Sequence, residues 1–369
     1  MKFAGIWPEE RKWNRPSSYM VLIPFLTMLC FATGPQTIDL SLIANDLNLV
    51  VENLSMANMT MTVSLVKTMT FWMNGKSLKS LLKFMAKDWT IVETQTERET
   101  MVNSARITRK TTMRCTIMCQ LVLVCYVILR LCSNNQNKLL FRGYFPYNIS
   151  VSPNYELTVI GQIMAATYAA AMYTSVDTFV AMLVLHVCGQ LSNLKDDLRN
   201  IHLHDKTVLQ TKLKKIVQKH DYINRFAETI ENCFNMMLLI QILGCTIQLC
   251  FQSFQAIMSF EEEAERYMIF QIAFLCIYII YVMVQLYLYC YVGEKLTVES
   301  IDIADTAYHC EWYNLPPKDA GLLIIIMCRA TSSPLKLTAG KFCCFTILLY
   351  SQILKTSVSY ISVLYATKG

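Results

Sequence analysis

Seven stretches of this 369-residue chain are apolar over twenty residues or more, or nearly so, and they decide what it can fold into. They run over 19–43, 54–73, 113–132, 158–188, 234–258, 268–291 and 342–367. A helix needs about 20 apolar residues to cross a hydrocarbon core of roughly 30 Å. A soluble domain buries its core without such runs. Charged residues make up 16% of the chain, well under the roughly 25% of soluble domains, and the mean hydropathy is +0.35. Backbone polar groups in lipid must be satisfied within their own segment, so each run is read as a helix. The ten-residue alternation of a membrane β-barrel is missing. The expected fold is therefore an all-α integral membrane protein with seven transmembrane helices. The run at 54–73 is the weakest, because it is rich in Met and Thr and carries Lys67.

Basic residues set the expected orientation. Twenty-six of the 33 Lys and Arg lie before the first run, in the loop after the second (Lys76 to Arg114), in the loop after the fourth, and before the seventh. The alternate loops hold only Lys138, Arg142, Arg266 and Lys368. The positive-inside rule then places the N-terminus in the cytoplasm and the C-terminus outside. The glycosylation sequons at Asn53, Asn58 and Asn148 all fall on the expected outer side. The first run is about twice the length of a signal-peptide core and lacks a small-residue cleavage site, so it reads as a permanent span.

Chemistry-bearing motifs are missing. The fifteen cysteines contain no C-x-x-C pair and lie mostly within spans, where free Cys packs as a small hydrophobe. The vicinal Cys343 and Cys344 sit at the expected start of the last helix and suit packing or palmitoylation. The His202-x-His204-Asp205 cluster lies in a charged stretch and reads as a solvated loop. Neither a phosphate loop nor H-E-x-x-H nor G-x-S-x-G occurs, so the chain is expected to be no enzyme and to need no cofactor, metal or nucleic acid.

The chain is one seven-helix membrane domain, 1–369, without repeats. Leu191, Leu194, Leu198 and Ile201 recur at helical spacing, which extends the fourth helix beyond the membrane. Segments 189–233 and 292–341 are expected to form a cytosolic helical layer suited to subunit contact. Lys67 and Asp177 are ionisable groups inside spans two and four. They either pair, or Lys67 snorkels inward while Asp177 faces a wet cavity; snorkelling is the preferred reading. Lys355 at the middle of the last run places that helix in the interior of an assembly, at a pore or a cavity.

Four blocks near the C-terminus carry a resemblance. They are Gly293-Glu-Lys-Leu-Thr-Val-Glu-Ser, Glu311-Trp312-Tyr313-Asn-Leu-Pro, Pro334-Leu-Lys-Leu-Thr338-Ala339-Gly340-Lys341-Phe342 and Ile353-Leu-Lys355-Thr-Ser357-Val-Ser359-Tyr360. Their order and spacing resemble the C-terminal region of insect odorant receptors. The remaining 290 or so residues resemble that family in topology only. The end of the chain fits the odorant branch better than the gustatory one, which closes on Thr-Tyr and then Gln-Phe. The longer cytosolic loop of the shared co-receptor is missing, so the chain resembles a ligand-tuning subunit.

The resemblance implies an odorant-gated, nonselective cation channel, built as a heteromeric tetramer with the co-receptor. It also implies a multi-pass plasma-membrane location in the dendrites of olfactory sensory neurons. Carried over by position, the pore and gate fall at Tyr360, Val363 and Thr367. Thr367 stands where the co-receptor has an apolar residue. A small volatile ligand is expected in the outer half of the bundle, held mainly by burial and aromatic contact. The candidates are Met61 and Leu65 on the second helix, Tyr126 and Leu129 on the third, and Tyr168 and Met172 on the fourth. Phe251 and Phe254 on the fifth helix and Phe270 and Phe274 on the sixth complete the set. A G-protein-coupled-type chemoreceptor would have the reverse topology and an Asp-Arg-Tyr at helix three, which reads Arg114-Cys115 here. A transporter would show paired broken helices or repeats.

Overall fold

The computed structural model describes residues 19–92, 94–132, 139–201, 206–259 and 265–366. They form seven helical spans. The first joins α1 (Leu22–Met28) through a π-helical turn, Leu29–Thr33, to α2 (Gly34–Leu42). The second joins α3 (Leu47–Asn53) through another π turn, Leu54–Asn58, to α4 (Met59–Met73). The third to sixth are α6 (Gln95–Cys132), α7 (Asn154–Arg199), α8 (Lys206–Ser259) and α9 (Glu265–Tyr308). The last is α11 (Ile347–Ala366). Between spans lie α5 (Gly75–Ile91) and α10 (Pro317–Ser332).

Local sequence explains the irregularities. Pro35 has no N–H, so it cannot bond the carbonyl one turn back, and the π turn before it absorbs the mismatch. The Pro35 carbonyl accepts from the Tyr144 N–H at 3.0 Å, tying the loop after α6 to the first span. At Gly143 a Cβ would lie 2.8 Å from Pro35 Cβ, so only glycine allows this approach.

Helix α7 is the centre of the bundle. Ala165, Ala166, Ala169 and Ala181 are buried, and such small residues let neighbouring helices close in. It packs against α6, α9, α8, α4 and the first span. The third to sixth spans are 38, 46, 54 and 44 residues long. At 1.5 Å per residue, all exceed the roughly 30 Å slab and continue past it. Their extensions gather with α10 at one end of the bundle. There Lys195 bonds Glu299 at 2.7 Å, Lys219 bonds Asp197 at 2.8 Å, and His186 Nε2 lies 2.8 Å from Asp88.

The structure corrects several boundaries. The segment from Lys76 to Arg114, read as a loop, is helical through α5 and the first turns of α6, with Leu78 and Leu81 fully buried. The second span begins at Leu47, ahead of residue 54. Cys343 and Cys344 open no helix: they form strand β2, paired antiparallel with β1 (Thr338–Ala339), and α11 starts at Ile347. Burial, and then the neighbouring Cys344, push the Cys343 thiol above its ordinary value.

This hairpin is the quoted Thr338-Ala339-Gly340-Lys341-Phe342 block, and it is bolted to α8. Glu231 accepts from the Thr338 N–H at 2.9 Å and from its hydroxyl. The Gly340 N–H donates to the Asn235 carbonyl at 2.8 Å. Gly340 has φ +58°, a left-handed conformation that favours glycine, and a Cβ there would press on the Leu239 side chain at 2.7 Å. Beyond the turn, Phe345 is buried against the Tyr289 ring, with centroids 5.6 Å apart, and so fixes the foot of α11. Trp312 packs against the core and Tyr313 is exposed, both in the 3-10 turn after α9. Pro334 is half-buried in the stretch between α10 and β1.

A candidate ligand cavity and the face of the last helix

Three helices contribute matching stripes to one cavity. Helix α6 gives Cys119, Val122, Leu123 and Tyr126; α7 gives Ala166, Ala169, Ala170 and Tyr173; α9 gives Phe274, Tyr278 and Tyr281. Each set follows the three- and four-residue spacing that puts side chains on one helix face. Ala57, Thr60 and Met61 close the side from the second span. Part of the space between the helices is open to the outside. The alanines on α7 leave room that larger residues would fill.

A loop residue roofs the cavity. Phe141 stacks on Tyr126 with centroids 5.6 Å apart and planes 16° off parallel. Gln162 clamps it from both sides, accepting from the Phe141 N–H at 3.1 Å and donating to its carbonyl at 2.8 Å. The Tyr126 hydroxyl donates to the Leu140 carbonyl at 2.9 Å. Above lies a polar recess lined by Glu52, Leu129, Arg130 and Arg142 among others. Arg130 bonds Glu52 at 2.8 Å. Recess and cavity share Ala57, Tyr126, Phe141 and Phe274, so these four residues form the partition between them.

Polar groups enter the apolar wall at few points. The Tyr278 and Thr60 hydroxyls are 2.8 Å apart, and Gln248 donates to Thr60 at 2.8 Å. The Tyr281 hydroxyl donates to the Cys119 sulfur at 3.4 Å and accepts from Gln285 at 3.2 Å. Gln241 donates to the Tyr173 hydroxyl at 2.6 Å. Behind Tyr173, Lys67 Nζ lies 3.3 Å from the ring centroid and 2.6 Å from Asp177 Oδ1. Lys67 and Asp177 therefore pair, with no exposed surface on either side chain, and the snorkelling reading is overturned. The Asp177 carboxylate also accepts from the Tyr289 hydroxyl.

Of the ten residues named from sequence, the structure brings Met61, Tyr126 and Phe274 to the cavity and Leu129 to the recess. Leu65 and Tyr168 pack on the surrounding core, and Met172 lies within it. Phe254 is buried elsewhere, Phe251 is half-buried, and Phe270 points outward at 64% exposure. Sequence reasoning missed Tyr173, Tyr278, Tyr281 and the roof Phe141. The Phe274, Tyr278, Tyr281 spacing on α9 was the available signal.

Asn53 and Asn58 are buried: Asn53 donates to the Gln36 carbonyl at 3.1 Å, and Asn58 to Asn53 at 2.9 Å. Asn148 is the exposed acceptor among the three sequons. His202, His204, Asp205 and Thr367 lie outside the described residues. Among the described residues, no group of three His, Cys, Asp or Glu is placed to hold a metal ion.

Helix α11 presents two different faces. Ile353 and Ser357 turn into the chain. Gln352, Lys355, Thr356 and Ser359 form a polar stripe at helical spacing, and all four are exposed. Tyr360 is 54% exposed beside it. Val363 continues the register of the stripe, four residues past Ser359, though its side chain is outside those described. A polar stripe with a lysine is costly against lipid, so water or another chain must cover it.

Comparison with known proteins bears on both features. The family model described as 7tm Odorant receptor matches residues 46–358. Odorant receptor 13a of Drosophila melanogaster is 27% identical over 241 residues, covering 61% of this chain and 56% of that one. The odorant receptor coreceptor of Anopheles gambiae is 26% identical over 161 residues, 44% of this chain and 32% of that one. This chain spans about half the length of curated relatives such as receptor 13a. The solved structure of the olfactory receptor OR5 from Machilis hrabei in complex with eugenol superposes with a TM-score of 0.85. It covers 99% of this chain and 95% of that one at 15% identity, a likeness of fold.

Proposed function

This chain belongs to the 7tm odorant receptor family, and we propose that it is a ligand-tuning subunit that binds small volatile molecules in the α6–α7–α9 cavity. The lining of the cavity carries this reading: aromatic, aliphatic and alanine side chains, with hydroxyls at Tyr278 and Tyr281. Burial of apolar surface supplies affinity there, and a hydroxyl orients one polar group of the ligand. The olfactory receptor solved in complex with eugenol has the same fold.

The bound ligand opens a cation pore in a plasma-membrane assembly with the shared co-receptor, to which this chain is related by sequence. The outward polar stripe of α11 supports a pore-lining place for that helix. A narrow apolar ring closes a pore by excluding water and ions, and Val363 is assigned to that ring. The N-terminus is assigned to the cytoplasm by the skew of basic residues, which puts the α5–α10 end inside and the cavity in the outer half. Tetrameric assembly and a site in olfactory dendrites complete the proposal. Whole-cell recording from cells carrying this chain and a co-receptor tests it. Volatile-evoked, cation-selective current that persists with G proteins blocked is expected. Current that vanishes with G-protein block contradicts it.

A further inference from the structure

Lys67 and Asp177 are the one ion pair among the described residues with both side chains fully enclosed. Stability alone does not call for such a pair, because two apolar side chains of similar volume often hold a buried site equally well. The pair does have a specific neighbour. Its ammonium lies 3.3 Å from the centroid of the Tyr173 ring, a cavity wall. Gln241 holds the hydroxyl of the same tyrosine at 2.6 Å. The ring is thus gripped on its face by a cation and at its oxygen by an amide, and Asp177 fixes the cation through a 2.6 Å bond. Asp177 is itself fixed by the hydroxyl of Tyr289, whose ring packs on Phe345 at the foot of α11.

We infer that Lys67 and Asp177 are a positioning pair that sets the Tyr173 ring as a wall of the ligand cavity and thereby tunes which volatiles the receptor answers and at what concentration. The inference rests on the reading of this cavity as the odorant site. Neither charge needs to touch the ligand. The carboxylate holds the ammonium, the ammonium holds the ring, and the ring shapes the cavity. Loss of the pair frees the ring to turn about its side-chain torsions, so ligand response changes even where the helices still pack.

The test uses the full chain co-expressed with a co-receptor. The probes are straight-chain alcohols from hexanol to decanol, their acetates, and phenyl-substituted alcohols. Lys67→Met or Asp177→Asn alone strands one buried charge or dipole, and surface labelling should fall. The joint variant Lys67→Met/Asp177→Asn leaves no net buried charge and should return to the surface. Its half-maximal concentrations should nevertheless shift by about threefold or more, with a changed rank order, because the ring that shapes the cavity is no longer held. With Tyr173→Leu as background, adding the joint change should move them by less than about twofold, because the ring it acts through is gone. A joint variant at the surface with wild-type half-maximal concentrations and rank order overturns the inference. So does an equal shift in the Tyr173→Leu background. If the joint variant stays off the surface, Lys67→Arg is read instead. It keeps the charge against Asp177 but alters the cation under the ring: a shifted rank order supports the inference, and an unchanged one overturns it. A wild-type chain that answers none of the probes contradicts the proposed function, and the inference falls with it.

Discussion

Tyr278→Phe isolates one oxygen in the cavity wall. The ring remains, and its neighbours Phe274 and Tyr281, with centroids 6.2 and 6.3 Å away, keep their partner. The lost group is the hydroxyl 2.8 Å from Thr60. Thr60 still accepts from the Gln248 amide at 2.8 Å, so its oxygen keeps a partner. Folding stability should therefore fall by only about 0.5–1.5 kcal/mol, the net worth of one hydrogen bond. Ligand response should divide by ligand type. A volatile whose oxygen meets the Tyr278 hydroxyl loses a contact of the same size, roughly 0.5–1.5 kcal/mol. That is about a 2- to 12-fold rise in half-maximal concentration, at 1.4 kcal/mol per tenfold. A hydrocarbon of matched shape makes no such bond and should shift by less than about twofold. Concentration–response curves for 2-phenylethanol against propylbenzene, and for 1-octanol against nonane, measure the difference. Equal shifts for both members of every pair, or none for the alcohols, refute the placing of the ligand's polar group at Tyr278.

Three further outcomes follow from the geometry. Ala166→Leu adds three carbons to a buried position in the wall, so the largest active volatiles should lose response before the smallest; a uniform loss across sizes, read from the same curves, contradicts the cavity. Gly293→Ala would bring a Cβ within 2.6 Å of the Phe345 carbonyl oxygen, a backbone atom that cannot swing away, so surface labelling should drop sharply, and unchanged labelling with unchanged resting current is the contrary result. An epitope at the N-terminus should stain only after permeabilisation, because the basic residues put that end inside; staining of intact cells contradicts the orientation.

Spans and site differ in how far the sequence reveals them. Long apolar runs announce membrane helices because lipid imposes one requirement on every residue of a run. Segment 76–112 reads as a loop because its signal is amphipathic and not a continuous apolar run: Leu78, Leu81 and Leu82 face the bundle while Lys76, Lys83 and Lys87 face away. In the cavity, Met61, Tyr126 and Phe274 were legible as large apolar residues in outer halves of spans. Phe254 and Phe270 looked equivalent, yet one is buried elsewhere and the other is 64% exposed. Which face of a membrane helix turns inward depends on its neighbours, and lipid is as apolar as a core. Phe141 was unreadable because its place depends on Gln162, twenty-one residues on. The Lys67–Asp177 pair was open to two readings for the same reason. Its partners lie 110 residues apart, and only the packing of α4 on α7 brings them together.

The central claim is that volatiles occupy the space between α6, α7 and α9. Photolabelling tests it most directly, with a straight-chain alcohol carrying a diazirine, an excess of unlabelled competitor, and mass spectrometry of the digested receptor. Adducts suppressed by the competitor should fall on the facing stripes, Cys119 to Tyr126, Ala166 to Tyr173 and Phe274 to Tyr281. Competitor-sensitive adducts confined to α8 around Phe251 and Phe254, or to α11, would contradict it.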